Sequence, residues 1–141
     1  MEIGTFYING EFVTPKGTDR IALINPATEE ETGFVIAGNE EDVNLAVEAA
    51  NEGFAKASYR TLEERKTILT EILEGMAARR DDFAKAISEE MGAPLKMAGS
   101  AQYGAGTIHF KNTLAIIDQF KFTEAHGNIT LNRLPIGPVG M

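Results

Sequence analysis

Residues 39–54 read Asn39-Glu40-Glu41-Asp42-Val43-Asn44-Leu45-Ala46-Val47-Glu48-Ala49-Ala50-Asn51-Glu52-Gly53-Phe54, and the fold turns on this stretch. Asn39 suits a helix N-cap, because its side-chain oxygen can accept from first-turn N–H groups that lack a backbone partner. Asp42, three residues on, sets a negative charge at the positive end of the helix dipole. Val43, Ala46, Val47, Ala50 and Phe54 then recur at helical spacing on one face. An amphipathic helix therefore opens the middle of the chain.

Before this helix the sequence reads as strands. Phe6-Tyr7-Ile8 and Glu11-Phe12-Val13 flank Asn9-Gly10, a pair that accepts positive φ at both central turn positions and so predicts a two-residue hairpin. Arg20 to Ile24 is a second strand-like run. It stops at Asn25-Pro26, where proline removes a ladder donor. Thr32 to Ile36 is a third candidate, closed by Gly38.

Beyond residue 54 the reading stays helical. Thr61-Leu62-Glu63-Glu64 is a capping box, followed by a stripe of Leu69, Ile72, Leu73 and Met76, with Arg79 and Arg80 at the C-terminal end. A third helix is expected from Asp81 or Asp82 to Met91, with Gly92 as its C′ residue and Pro94 in the first turn of a fourth. That fourth segment, Leu95 to about Phe120, carries Gly99, Gly104 and Gly106, each costing about 0.5–1 kcal/mol against alanine in a helix interior. Either the helix is interrupted there or neighbours pack closely, and close packing is the reading adopted. Asn128 to Leu134 alternates apolar and polar, as a strand with one wet face would. Strands, four helices and a C-terminal strand make an α+β fold.

Composition narrows the function. The chain has 141 residues, ordinary apolar and charged content, and a formal net charge of −8, which argues against a nucleic-acid backbone as partner. No run of about 18 apolar residues exists to span a membrane. MEIGTFYINGEF lacks a basic region followed by an apolar core, so no secretion signal is read and a cytoplasmic location is expected. The sequon Asn128-Ile129-Thr130 then reads as coincidence. There is no cysteine, hence no disulfide frame and no thiol nucleophile.

Six phrases in order resemble the aldehyde dehydrogenase family. Tyr7 to Phe12 resembles its opening "INGE" hairpin, and Ile24-Asn25-Pro26-Ala27-Thr28 its "NPATGE" turn, with Glu29-Glu30-Glu31 replacing Gly-Glu. Glu41-Asp42-Val43 with Ala46-Val47 and Ala49-Ala50 is similar to "EDVxxAVxAA", and Glu64-Arg65 to the "ER" pair of the next helix. Glu89 to Pro94 resembles "ExGKP", with Ala93 in place of lysine. Arg133-Leu134-Pro135-Ile136-Gly137 resembles the phrase leading into the first nucleotide-binding strand, with Pro138 where valine is commonest.

The resemblance implies the front of the aldehyde dehydrogenase fold, ending where the Rossmann-like sheet begins, with residues 123–135 starting an oligomerisation arm. Residues 1–141 then form part of the cofactor-binding domain. The full-length parent would oxidise an aldehyde to a carboxylic acid with NAD or NADP, through a cysteine thiohemiacetal and thioester. Such chemistry needs an activated thiol, oxyanion donors and a base for water. The cysteine, the general-base glutamate and most of the cofactor site lie beyond this stretch in the family. The chain alone is therefore expected to be inactive and to bind no cofactor, and its abrupt end at Met141 reads as a truncation. The alternative is a free-standing interaction module that kept the fold and lost the chemistry. An unrelated α+β domain would require the ordered phrases to be chance.

Three residues are carried over as a candidate metal site. In some family members a monovalent cation binds the acidic residue of "ExG" and carbonyls before "NP", which here are Glu90, Leu23 and Ile24. Without that resemblance Glu89 and Glu90 read as a solvated helix end rather than an acid–base pair, and His109 and His126 as solvated or structural. Gly104-x-Gly106 lacks the third glycine and the preceding strand of a dinucleotide fingerprint, so it reads as helix packing. Helices shaped to lie against further structure would expose apolar faces. Self-association as a dimer or tetramer, or pairing with full-length paralogues, is accordingly expected.

Overall fold

A computed structural model describes residues 2–140. Among these, the chain groups into two compact bodies: residues 2–58, 89–92 and 137–140 in the first, residues 59–88 and 93–136 in the second.

In the first body, β1 (Glu2–Ile3) pairs parallel with β5 (Glu31–Ile36), which pairs antiparallel with β4 (Arg20–Ile24). The expected hairpin forms from β2 (Phe6–Ile8) and β3 (Glu11–Val13), with Asn9 at φ 53° and Gly10 at φ 86° in its turn. Two-residue β1 is too short to leave a periodic signal, and the sequence reading missed it. Helix α1 (Glu40–Ala57) starts as its sequence requires. Asn39 Oδ1 accepts from Glu41 N at 3.0 Å and Asp42 N at 3.2 Å, while Asp42 Oδ2 accepts from Asn39 N at 3.0 Å.

Asp42 does more than cap. Its carboxylate also accepts from Lys16 N at 2.8 Å and Gly17 N at 2.9 Å, tying the loop between β3 and β4 to the helix N-terminus. Burial raises the Asp42 pKa, but the N–H groups of Lys16, Asn39 and Gly17, with the Lys16 charge, outweigh it and hold the carboxyl below the ordinary aspartate value. Gly17 is obligatory here for space rather than φ: a Cβ would lie 2.0 Å from the Ala37 carbonyl oxygen.

The second body is helical. α2 (Leu62–Ala78) opens on the expected capping box, with Thr61 N donating to Glu64 Oε2 at 2.6 Å and Glu64 N donating to Thr61 Oγ1 at 3.3 Å. α3 (Arg80–Met91) starts earlier than expected, directly after Arg79 caps α2. Arg80 thus leaves the end of α2, where the sequence placed it. Its guanidinium instead donates to the Gly99 carbonyl from Nε at 3.0 Å and Nη2 at 2.7 Å.

The fourth helical segment is both packed and interrupted. α4 (Leu95–Met97) runs into a π-helical turn at Ala98–Gln102, then α5 (Tyr103–Ile116) and a 3-10 turn at Ile117–Gln119. Pro94 stands just before the segment rather than in its first turn. A Cβ on Gly99 would meet Ala84 Cβ at 3.2 Å, so this glycine does serve close packing, whereas one on Gly106 would meet Met76 at 3.6 Å, an ordinary contact that leaves room for a side chain. Gly104 has open space beside it.

At the C-terminal end, the expected strand is β7 (Ile129–Asn132), shorter than Asn128–Leu134 and paired antiparallel with β6 (Thr123–His126). Gly127, at φ 59°, and Asn128 form the turn. Arg133 bonds the Lys121 carbonyl at 2.6 Å and the Glu124 carboxylate, fastening the hairpin base. β7 was expected to be wet on one face only. All four of its residues are exposed, so neither face is covered among the described residues.

Burial is sparse throughout. Ala84, Ala93 and Ala98 are the buried apolar residues among those described, and no large side chain is fully buried. Most of the apolar stripe of α1 faces outward, with Val43 58% and Val47 52% exposed, while Phe54 at its far end is half-buried; Asp42 is buried and Ala49 and Ala57 are half-buried. A folded 15.3 kDa monomer leaves about 7,100 Å² accessible, and two separate bodies of half that mass about 8,600 Å² together, against the 10773 Å² found here.

Candidate functional site

The β4–β5 turn is built by Asn25. Its Oδ1 accepts from Ala27 N at 2.8 Å, its backbone N donates to the Glu30 carbonyl at 2.9 Å, and its carbonyl accepts from Glu29 N at 2.8 Å. These bonds stop β4 where Pro26 would break the ladder, and they leave a bulge between Leu23 and Ile24. The Thr32 hydroxyl donates to the Leu23 carbonyl at 3.2 Å.

The end of α3 meets this turn. Gly92, at φ +70°, ends the helix in the left-handed conformation that favours glycine, as its sequence position predicts. A Cβ there would lie 3.0 Å from Pro26 Cγ and 3.6 Å from its Cβ, so the helix end seats closely on the turn. That seating brings Glu89 and Glu90 to a cleft of about 590 Å³, lined with them by Ile3, Leu23, Ile24, Asn25 and Thr32.

The three residues picked from sequence for a cation, Leu23, Ile24 and Glu90, therefore line one cleft despite their separation along the chain. Asn25 and Thr32 also line the cleft and were not assigned by sequence reasoning; the Asn-Pro pair was the available signal. Carboxylates, carbonyls and a hydroxyl at the negative end of a helix suit a hard cation and repel an anion.

The remaining candidates are not among the residues that line this cleft. His109 is exposed on α5, and His126 stands at the hairpin turn with Nε2 3.8 Å from Glu124 Oε2. Gly104 and Gly106 lie inside α5, continuous with the π-turn before it, so they present no free helix N-terminus to a pyrophosphate. No helix among the described residues is long and apolar enough to cross a membrane.

The sequence model of the aldehyde dehydrogenase family matches residues 12–141. The chain belongs to the aldehyde dehydrogenase family. An aldehyde dehydrogenase relative from Staphylococcus haemolyticus is 38% identical over 135 residues, covering 96% of this chain and 28% of the relative. One from Staphylococcus epidermidis is similar at 38% over the same length. Among solved structures, the aldehyde dehydrogenase of Bartonella henselae superposes with a TM-score of 0.86 at 35% identity, covering 91% of this chain and 27% of that one. An aldehyde dehydrogenase C variant from Pseudomonas syringae, complexed with NAD+ and octanal, gives a TM-score of 0.84 at 34% identity, over 87% of this chain and 25% of that one.

The chain thus spans 28% of the length of the curated relatives it matches. Its architecture is that of the N-terminal part of the family fold, as its ordered phrases imply.

Proposed function

We propose that this chain serves as the front of the cofactor-binding domain of an NAD(P)-dependent aldehyde dehydrogenase that oxidises an aldehyde to a carboxylic acid, and that the chain alone is not a catalyst. The observation that carries this reading is a family match confined to 28% of the relatives' length, in a sequence with no cysteine. A serine or threonine hydroxyl without a base partner barely ionises near neutrality and is a poor substitute. The dinucleotide does not fit the groups described above, so no catalytic step is assigned to them.

The test has two parts. Purified chain is incubated with octanal and NAD+ or NADP+, then mixed with a relative trimmed of its matching N-terminal segment. No reduced cofactor from the chain alone, with turnover restored in the mixture, is expected. Turnover by the chain alone would overturn the reading.

Two subsidiary proposals follow from named features. The carbonyls of Leu23 and Ile24 with the Glu90 carboxylate would hold a monovalent cation, supported by their common cleft and oxygen-only chemistry. Segment 123–135 begins an oligomerisation arm through which the chain forms dimers or tetramers or pairs with full-length relatives. The exposed hairpin, with Ile129 69% and Leu131 45% exposed, favours this second reading.

A further inference from the structure

The first body carries a second groove, apart from the cation cleft, between the β2–β3 hairpin and α1. Its volume is about 610 Å³, within the range that takes a ligand-sized group. Ile8 and Val13 from the hairpin are half-buried in its lining, and Leu45 from α1 is 42% exposed there. Glu11, Glu48 and Glu52 complete its walls, against the single cation Lys16.

We infer that this groove docks a basic amphipathic segment of a partner protein. Three observations support that occupant over others. First, the apolar lining calls for apolar side chains, as in helix-in-groove recognition. Second, Glu48 and Glu52 stand four apart on one helix, a like-charge spacing that destabilises the helix until a cation sits between them. None of the three glutamates has an ion-pair partner among the described residues.

Third, charge is segregated between the two bodies. The first holds thirteen acidic residues against three basic, a net −10, while the second holds eight against ten, a net +2. A second copy of the same acidic body would be repelled from this groove, whereas a Lys- or Arg-bearing segment is steered to it. Asp42 adds to the negative charge of the groove but offers the occupant no direct ion pair, because its carboxylate is already bonded to three backbone N–H groups.

The probe is a labelled 14-residue helical peptide of leucine on one face and lysine on the other, titrated into the full chain by fluorescence anisotropy. A lysine–glutamine peptide of equal charge is the comparison. Binding of the first peptide is expected to weaken about ten-fold in Glu48→Gln/Glu52→Gln but less than about two-fold in Glu29→Gln/Glu30→Gln, which removes equal charge from the β4–β5 turn. Methyl NMR of the unaltered chain is expected to shift Ile8, Val13 and Leu45, a readout independent of any variant's folding.

Equal affinity for the lysine–glutamine peptide would overturn the proposal, as would equal losses in both glutamate pairs or shifts confined to other surfaces. Shifts at the groove that grow with protein concentration alone would place a second copy there and overturn it too. Aldehyde oxidation is not read in any of these arms, so failure here is distinct from failure of the family role.

Discussion

Replacing Gly92 with alanine perturbs the joint that assembles the cation cleft, and its cost has two separable parts. The first is conformational: Gly92 sits at φ +70°, and an L-residue held in the left-handed region costs roughly 1–2 kcal/mol. The second is steric: the new Cβ would stand 3.0 Å from Pro26 Cγ, and relieving such overpacking costs about 1–3 kcal/mol. Gly92→Ala should therefore destabilise the first body by roughly 2–5 kcal/mol. Pro26→Ala removes the ring atom in the way, at a cost of about 0.4–1 kcal/mol from a looser unfolded chain.

The double variant should consequently lose less than the two single losses together, with a coupling of about 1–2 kcal/mol. Urea denaturation followed by far-ultraviolet circular dichroism measures all four corners of this cycle. A Gly92→Ala chain within about 0.5 kcal/mol of the unaltered one would refute the reasoning. Strict additivity with Pro26→Ala would refute its steric half alone, leaving the φ argument standing.

Three further outcomes are expected. Gly17→Ala, whose Cβ would fall 2.0 Å from the Ala37 carbonyl oxygen, must displace the loop from Asp42; limited proteolysis should then cut within 14–19, and an uncut loop would contradict this. Asp42 has a native pKa below 3.8, so the stability it adds is complete above that ordinary value and is lost as pH falls through the lowered one. The unaltered chain should therefore lose stability on acidification below about pH 4 more steeply than Asp42→Asn, and parallel pH profiles from acid denaturation would rule out the assignment. Ile129→Ser/Leu131→Ser should shift sedimentation toward the monomer, and an unchanged oligomer distribution would remove the hairpin from the interface.

Much of the local structure was legible in the residues themselves. Asn39 with Asp42, Thr61 with Glu64, the Asn9-Gly10 turn and the Gly92 terminus are signals in which both partners lie within a few residues. Chain connectivity already holds such partners close, so residue type suffices to decide the bond. The ordered family phrases likewise point to the fold from the residues alone. The break at Ala98–Gln102 was less legible, because glycines in a helical pattern look the same whether they mark packing or interruption.

What needed the tertiary structure were contacts between residues far apart in the chain. Nothing in the sequence says that Asp42 binds the N–H groups of Lys16 and Gly17, or that Arg80 reaches the Gly99 carbonyl. The cleft uniting Leu23, Ile24 and Glu90 exists because the helix end after Glu90 seats on Pro26. Periodicity found the Val43–Val47 stripe but not its surroundings, and the fold leaves that stripe in solvent. A hydrophobic pattern records that a face favours burial; steric fit between distant segments decides what, if anything, buries it.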